Sequence, residues 1–86
     1  MKINSEYVMR EIAGDTILIP IGDTINNFNG LVILNELAKF IWEKMPQAKD
    51  EEELLNYILD EYEVEREVAK SDLDEFLEML KKENII

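Results

Sequence analysis

Residues 28–42, Phe-Asn-Gly-Leu-Val-Ile-Leu-Asn-Glu-Leu-Ala-Lys-Phe-Ile-Trp, leave the backbone little freedom. Asn29-Gly30 supplies the positive φ angles that a tight hairpin turn requires. Leu31, Val32, Ile33 and Leu34 form a short apolar run with strand propensity. Asn35 can accept a hydrogen bond from the free N–H groups that open a helix. An amphipathic stretch then begins at once, with Leu37, Phe40, Ile41 and Met45 on one face. Turn, strand, cap and helix therefore follow one another with no linker. Nothing in the block is a catalytic motif, so any function has to reside in a surface that this strand and its neighbours offer.

The rest of the composition narrows the choice. Eighty-six residues make one small domain, residues 1–86, and 47% apolar content suffices for a dense core. The absence of cysteine removes disulfides and thiolate metal sites, and the absence of histidine removes the commonest metal ligand and general base. No glycine-rich phosphate loop is present. We therefore expect no enzyme activity, no metal and no cofactor. Neither a signal peptide nor a transmembrane run is apparent, and a cytoplasmic setting is the expectation.

Charge separates candidate partners. The net charge of −11 is uneven: residues 1–46 hold four Lys/Arg against six Asp/Glu, and residues 47–86 hold five against fourteen. Such a surface repels nucleic-acid phosphates and anionic membranes, and suits a partner with basic groups.

Periodicity supplies the outline. Strands are expected over residues 7–13 and 16–21, joined by a turn at Ala13-Gly14-Asp15. In the second, Ile17, Ile19 and Ile21 make an apolar face, whereas Thr16, Leu18 and Pro20 make a mixed one. Pro20 belongs at an edge or strand end. A turn or bulge is expected at Gly22-Asp23, and residues 24–28 either extend the strand or form a loop. The third strand is residues 31–34.

Three helices follow. The first runs over residues 36–45 and stops before Pro46. Trp42 lies off its apolar line and is expected to be partly exposed. The second starts from the Asp50 cap with Glu53 as the capping-box partner, and buries Leu54, Leu55, Ile58, Leu59 and Tyr62. The third covers residues 66–83, with a stripe of Val68, Leu73, Phe76, Leu77 and Leu80, and with Lys81 and Lys82 at its negative end. The fold class is α+β: a three-stranded antiparallel N-terminal sheet followed by three helices, with winged helix-turn-helix proportions.

The residues now in view resemble the PqqD-like family, which comprises coenzyme PQQ synthesis protein D and, more broadly, the recognition elements for ribosomally made, modified peptides (RiPPs). The likeness covers nearly the whole chain. It runs from Tyr-Val-Met-Arg-Glu-Ile-Ala-Gly (7–14) and Thr-Ile-Leu-Ile-Pro (16–20), through Phe-Asn-Gly-Leu-Val-Ile-Leu-Asn-Glu (28–36) and Phe-Ile-Trp-Glu (40–43), to Asp-Leu-Asp-Glu-Phe-Leu (72–77), Leu80 and Ile85. No single piece is specific; their order and spacing are. The 28–42 block is similar to the wider group encoded beside radical SAM peptide-modifying enzymes.

The resemblance implies a non-catalytic peptide chaperone. Such a protein binds the leader segment of a precursor peptide and delivers it to a maturation enzyme, here a radical SAM protein. In the family the leader adds as a strand beside the third strand and lies against the third helix. The implied peptide-binding residues are Leu31, Val32, Ile33 and Leu34 on the strand, and Val68, Ala69, Asp72, Leu73 and Phe76 on the helix. Asp72, Asp74, Glu75 and Glu78 would add a preference for lysine or arginine in the leader.

Each feature also has a plainer structural reading. The 31–34 run is a core strand whose backbone edge stays available, Asn35 is a helix cap, and the carboxylates at 51–53, 72 and 75 are solvated charge. The competing functional reading is a winged-helix DNA-binding or general protein-interaction module. A recognition helix, however, needs Lys/Arg facing phosphate. Monomer and exchanged dimer both remain compatible with an open edge strand. The acidic balance predicts that random duplex DNA at low salt is not retarded by this protein in a gel shift; clear retardation would revive the DNA-binding reading.

Overall fold

The structure, a computed structural model, describes Ile3, residues 7–22 and residues 32–86. Strands β1 (Tyr7–Ile12), β2 (Asp15–Pro20) and β3 (Val32–Leu34) precede helices α1 (Glu36–Lys44), α2 (Glu51–Glu61) and α3 (Arg66–Lys82). This is the expected α+β arrangement. The expected turn at Asn29-Gly30, the 24–28 segment, Asp23 and Leu31 lie outside the described residues.

The sheet is antiparallel, in the order β1-β2-β3. β1 and β2 meet through a two-residue loop, with φ of 52° at Ala13 and 87° at Gly14. Positive φ at both central positions is the hairpin geometry whose twist matches that of the strands. Gly14 adopts it without steric cost. Asp15 already belongs to β2, so the turn is one residue tighter than the sequence suggested. Pro20 is the last residue of β2, where its missing N–H breaks no central ladder bond.

The pleat decides which side of the sheet meets the helices. Thr16 lies opposite Leu34 and Leu18 opposite Val32, so these four share a face. Leu18 and Leu34 are buried in the main core on that side. The mixed face of β2 is thus the core face, and the more uniformly apolar face is the outer one. Ile17 and Ile33 pair on that outer side; Ile33 is 62% exposed and Ile12 53%.

Capping sets the helix boundaries. Asn35 accepts from the Ala38 N–H at 2.8 Å, and Asp50 accepts from the Glu53 N–H at 2.9 Å. The Glu53 carboxylate takes a hydroxyl hydrogen bond from Tyr57 at 3.4 Å. α1 gives way to a turn at Pro46, which lacks the N–H that the next helical bond needs. Met45 nevertheless keeps helical angles, φ −54° and ψ −42°, overriding the usual restriction on the residue before proline.

α3 ends in a Schellman motif. Asn84 takes a left-handed φ of 59°, while its N–H bonds to Lys81 O at 3.1 Å and the Ile85 N–H to Leu80 O at 2.8 Å. Leu80 and Ile85 are both fully buried, so the cap closes on a hydrophobic contact.

One core joins the layers. Leu18 and Leu34 of the sheet cluster with Ile41 and Met45, with Leu54, Leu55 and Ile58 of α2, and with Leu73, Leu77 and Leu80 of α3. α1 is central, touching β3, α2 and α3. Its buried arc is correspondingly wide and takes in Trp42, which is only 8% exposed rather than partly exposed. On a 3.6-residue turn, Trp42 falls about 60° beyond Met45, within the arc that three neighbours cover.

Leu18→Ala is expected to cost about 2–5 kcal/mol by opening a cavity where sheet and helices meet. Asp50→Ala, which removes only a cap, is expected to cost about 1 kcal/mol. Urea midpoints at constant slope provide the comparison.

Candidate functional site

β3 is the terminal strand of the sheet order. It pairs with β2 on one side, and its other edge presents main-chain N–H and C=O groups with no strand partner among the described residues. The chain passes from β3 into α1 through Asn35 alone. Besides the Asn35 side-chain bond, the Lys39 N–H reaches Asn35 O at 2.9 Å. The end of the strand and the first turn of α1 are therefore locked together.

A groove of about 580 Å³ opens beside this junction, with α3 as its far wall. Leu34, Leu37, Ile41, Phe76 and Met79 give it an apolar lining. Exposed Asp15, Asp72 and Glu75 stand around its mouth. At the hairpin end, Glu11 of β1 and Lys39 of α1 form an ion pair at 2.9 Å. Its hydrogen bond to Glu11 raises the Lys39 pKa above the ordinary lysine value, with the same carboxylate's charge adding to the shift. Lys39 therefore stays charged through neutral pH. What the pair contributes is present below the ordinary lysine pKa and is lost as pH rises through the raised one.

α3 presents two adjacent stripes. Ala69, Leu73, Leu77 and Leu80 face the core and are at most 1% exposed. Val68, Asp72, Glu75 and Met79 follow the next row, and Phe76 lies on the boundary. Of the helix residues singled out from sequence, Asp72 and Phe76 line the groove. Ala69 and Leu73 instead turn into the core, one row away. Val68 is 48% exposed on the groove-side row, one turn before Asp72 and beyond the lining. On the strand, Ile33 and Leu34 line the groove; Val32 is partly buried next to them, and Leu31 lies outside the described residues.

Leu37, Ala38 and Ile41 of α1, and Met79 of α3, also line the groove, and sequence reasoning did not assign them to a site. Their signal was present, because Leu37 and Ile41 form the apolar line of the first helix. The groove simply uses the end of that line nearest the Asn35 cap. Among the described residues no His, Cys, Asp or Glu cluster is placed to hold a metal, and no helix is long and apolar enough to cross a membrane.

An open strand edge beside a partly apolar groove is an arrangement that an extended peptide can join by main-chain bonds. Comparisons with known proteins supply the family. The family model for coenzyme PQQ synthesis protein D (PqqD) matches residues 8–86, and the chain belongs to this family. Among solved structures, TbiB1 in complex with the TbiA(beta) leader peptide matches with a TM-score of 0.76 and 26% identity, covering 99% of this chain and 93% of that one. No curated protein matches the sequence.

The alternation along β3 can be tested without any ligand. Ile33→Lys should leave stability within about 0.5 kcal/mol, as expected for an exposed position. Leu34→Ala should cost about 2–5 kcal/mol. Equal costs in urea unfolding would show that the inside and outside of the strand are wrongly assigned.

Proposed function

We propose that this protein is a non-catalytic peptide chaperone that binds the leader segment of a ribosomally synthesised precursor and presents it to a modifying enzyme. The observation that carries the proposal is the juxtaposition of the β3 edge with the groove between α1 and α3. Family membership and the similarity to a protein solved with a leader peptide support it. The resemblance of the 28–42 block extends the proposal to a radical SAM enzyme as the recipient.

The mechanism follows from the geometry. A leader in extended conformation adds beside β3, and its main chain satisfies the unpartnered edge groups. Successive side chains alternate in direction. Those level with Leu34 point with it toward the helices, and those level with Ile33 point with it to the groove's outer rim. Each apolar side chain seated among Leu37, Ile41, Phe76 and Met79 contributes about 1.5–3 kcal/mol before ordering costs. Two such anchors plus the main-chain bonds are consistent with micromolar affinity, about −8 kcal/mol. The protein supplies no reacting group in this scheme. It fixes one end of the substrate and leaves the remainder free to enter the enzyme.

A synthetic leader from a precursor encoded near this gene should shift the amide signals of residues 32–34 and of Asp72, Phe76 and Met79 on titration. Met79→Asp should weaken binding at least tenfold by placing a charge in the apolar lining. Binding that leaves those amides unmoved would sink the strand-addition reading.

A further inference from the structure

Three exposed carboxylates, Asp15, Asp72 and Glu75, border the groove, and position rather than lack of a counter-ion sets them apart from the other acidic residues. The ion pairs among the described residues use Glu11 with Lys39, Glu52 with Arg66, Asp74 with Lys70 and Glu51 with Lys81. Asp15, Asp72 and Glu75 have no cationic partner among the described residues. Asp74 is answered by its own helix on the side of α3 away from the groove. Glu78 also lies off the groove row. Of the four helix carboxylates that charge alone put forward, only Asp72 and Glu75 stand at the groove.

Resting on the peptide-binding reading above, we propose that this site selects leaders carrying a lysine or arginine among the apolar groove-facing residues, with Asp72 and Glu75 as the specificity-determining pair. The spacing assigns one cation to the pair. Asp72 and Glu75 are three residues apart, about 4.5 Å along the helix axis. Successive same-face residues of a strand are about 6.8 Å apart. One long cationic side chain can lay its methylenes along Phe76 and Met79 while its head reaches both carboxylates. A second cation would fall outside the pair's reach. A carboxylate at the same peptide position meets two like charges, so acidic leaders are disfavoured. The net charge of −11 acts in the same direction at longer range, by drawing in cationic peptides.

The test uses three short synthetic peptides of alternating leucine and threonine that differ only at one central groove-facing position: lysine, glutamine or glutamate. The lysine peptide is expected to bind tightest and the glutamate peptide weakest, with about tenfold between the extremes, as two surface ion pairs near the top of their usual range would give. The spread should shrink at about 0.5 M salt. Asp72→Asn with Glu75→Gln should abolish it. Asp60→Asn with Glu61→Gln, an equal charge change on exposed α2 positions, should leave it intact. Loss of the spread in both variants would reduce the effect to net charge and overturn the proposal. Equal affinities for the three peptides, with the amides of 32–34 still shifting, would overturn the charge selectivity and leave strand addition standing. No shift with any of the three would remove both.

Discussion

Asn35 stands where the strand turns into a helix, and the groove exists because that change takes a single residue. The side chain caps α1 at Ala38, while its carbonyl accepts from Lys39. A longer connection would let β3 and α1 move independently, and Leu34 and Leu37 would no longer be held side by side. The cap itself contributes only about 1 kcal/mol. Its larger consequence is geometric. α1 is the helix that touches β3, α2 and α3, so the junction transmits the position of the sheet edge to the whole helical layer. The wall opposite the junction is α3, which Leu73, Leu77 and Leu80 hold in the core and the Asn84 cap terminates.

Much of this was legible in the sequence because it is written in local chemistry. Asn35 and Asp50 cap where their side chains and the apolar periodicity say they should. Ala13-Gly14 makes the hairpin, and Lys81 and Lys82 close α3. What the sequence could not settle depends on contacts between elements. The Ile17–Ile19 face is the more regular apolar pattern, yet Leu18 is the residue that meets the helices. A strand that is apolar on both sides carries no internal statement of which side is inward. Trp42 was misplaced for a related reason: an amphipathic stripe describes a helix with one covered side, and α1 is covered on three.

The candidate site shows the same division. Of the α3 residues named from sequence, Asp72 and Phe76 line the groove and Val68 continues their side of the helix, whereas Ala69 and Leu73 turn into the core. Leu73 sits about 100° around the helix from Asp72, which does line the groove, and an apolar helix residue near a cleft reads identically whether it points into the core or into the cleft. Asp72 and Glu75 were the informative residues on that helix. Polar positions flanking a buried stripe mark its border, and a groove must open at the border.

The edge that would receive a peptide also has to refuse other partners. Unpaired strand edges invite self-association, and proteins blunt them with short strands and charge. β3 supplies three residues, and Asp15, Asp72 and Glu75 stand around its groove. Pairing two copies edge to edge would bring both sets of carboxylates together, in a chain already at −11. A short cationic or neutral peptide meets no such penalty and offers the same main-chain hydrogen bonds. The acidic charge thus raises the cost of the competing strand the protein meets most often, its own.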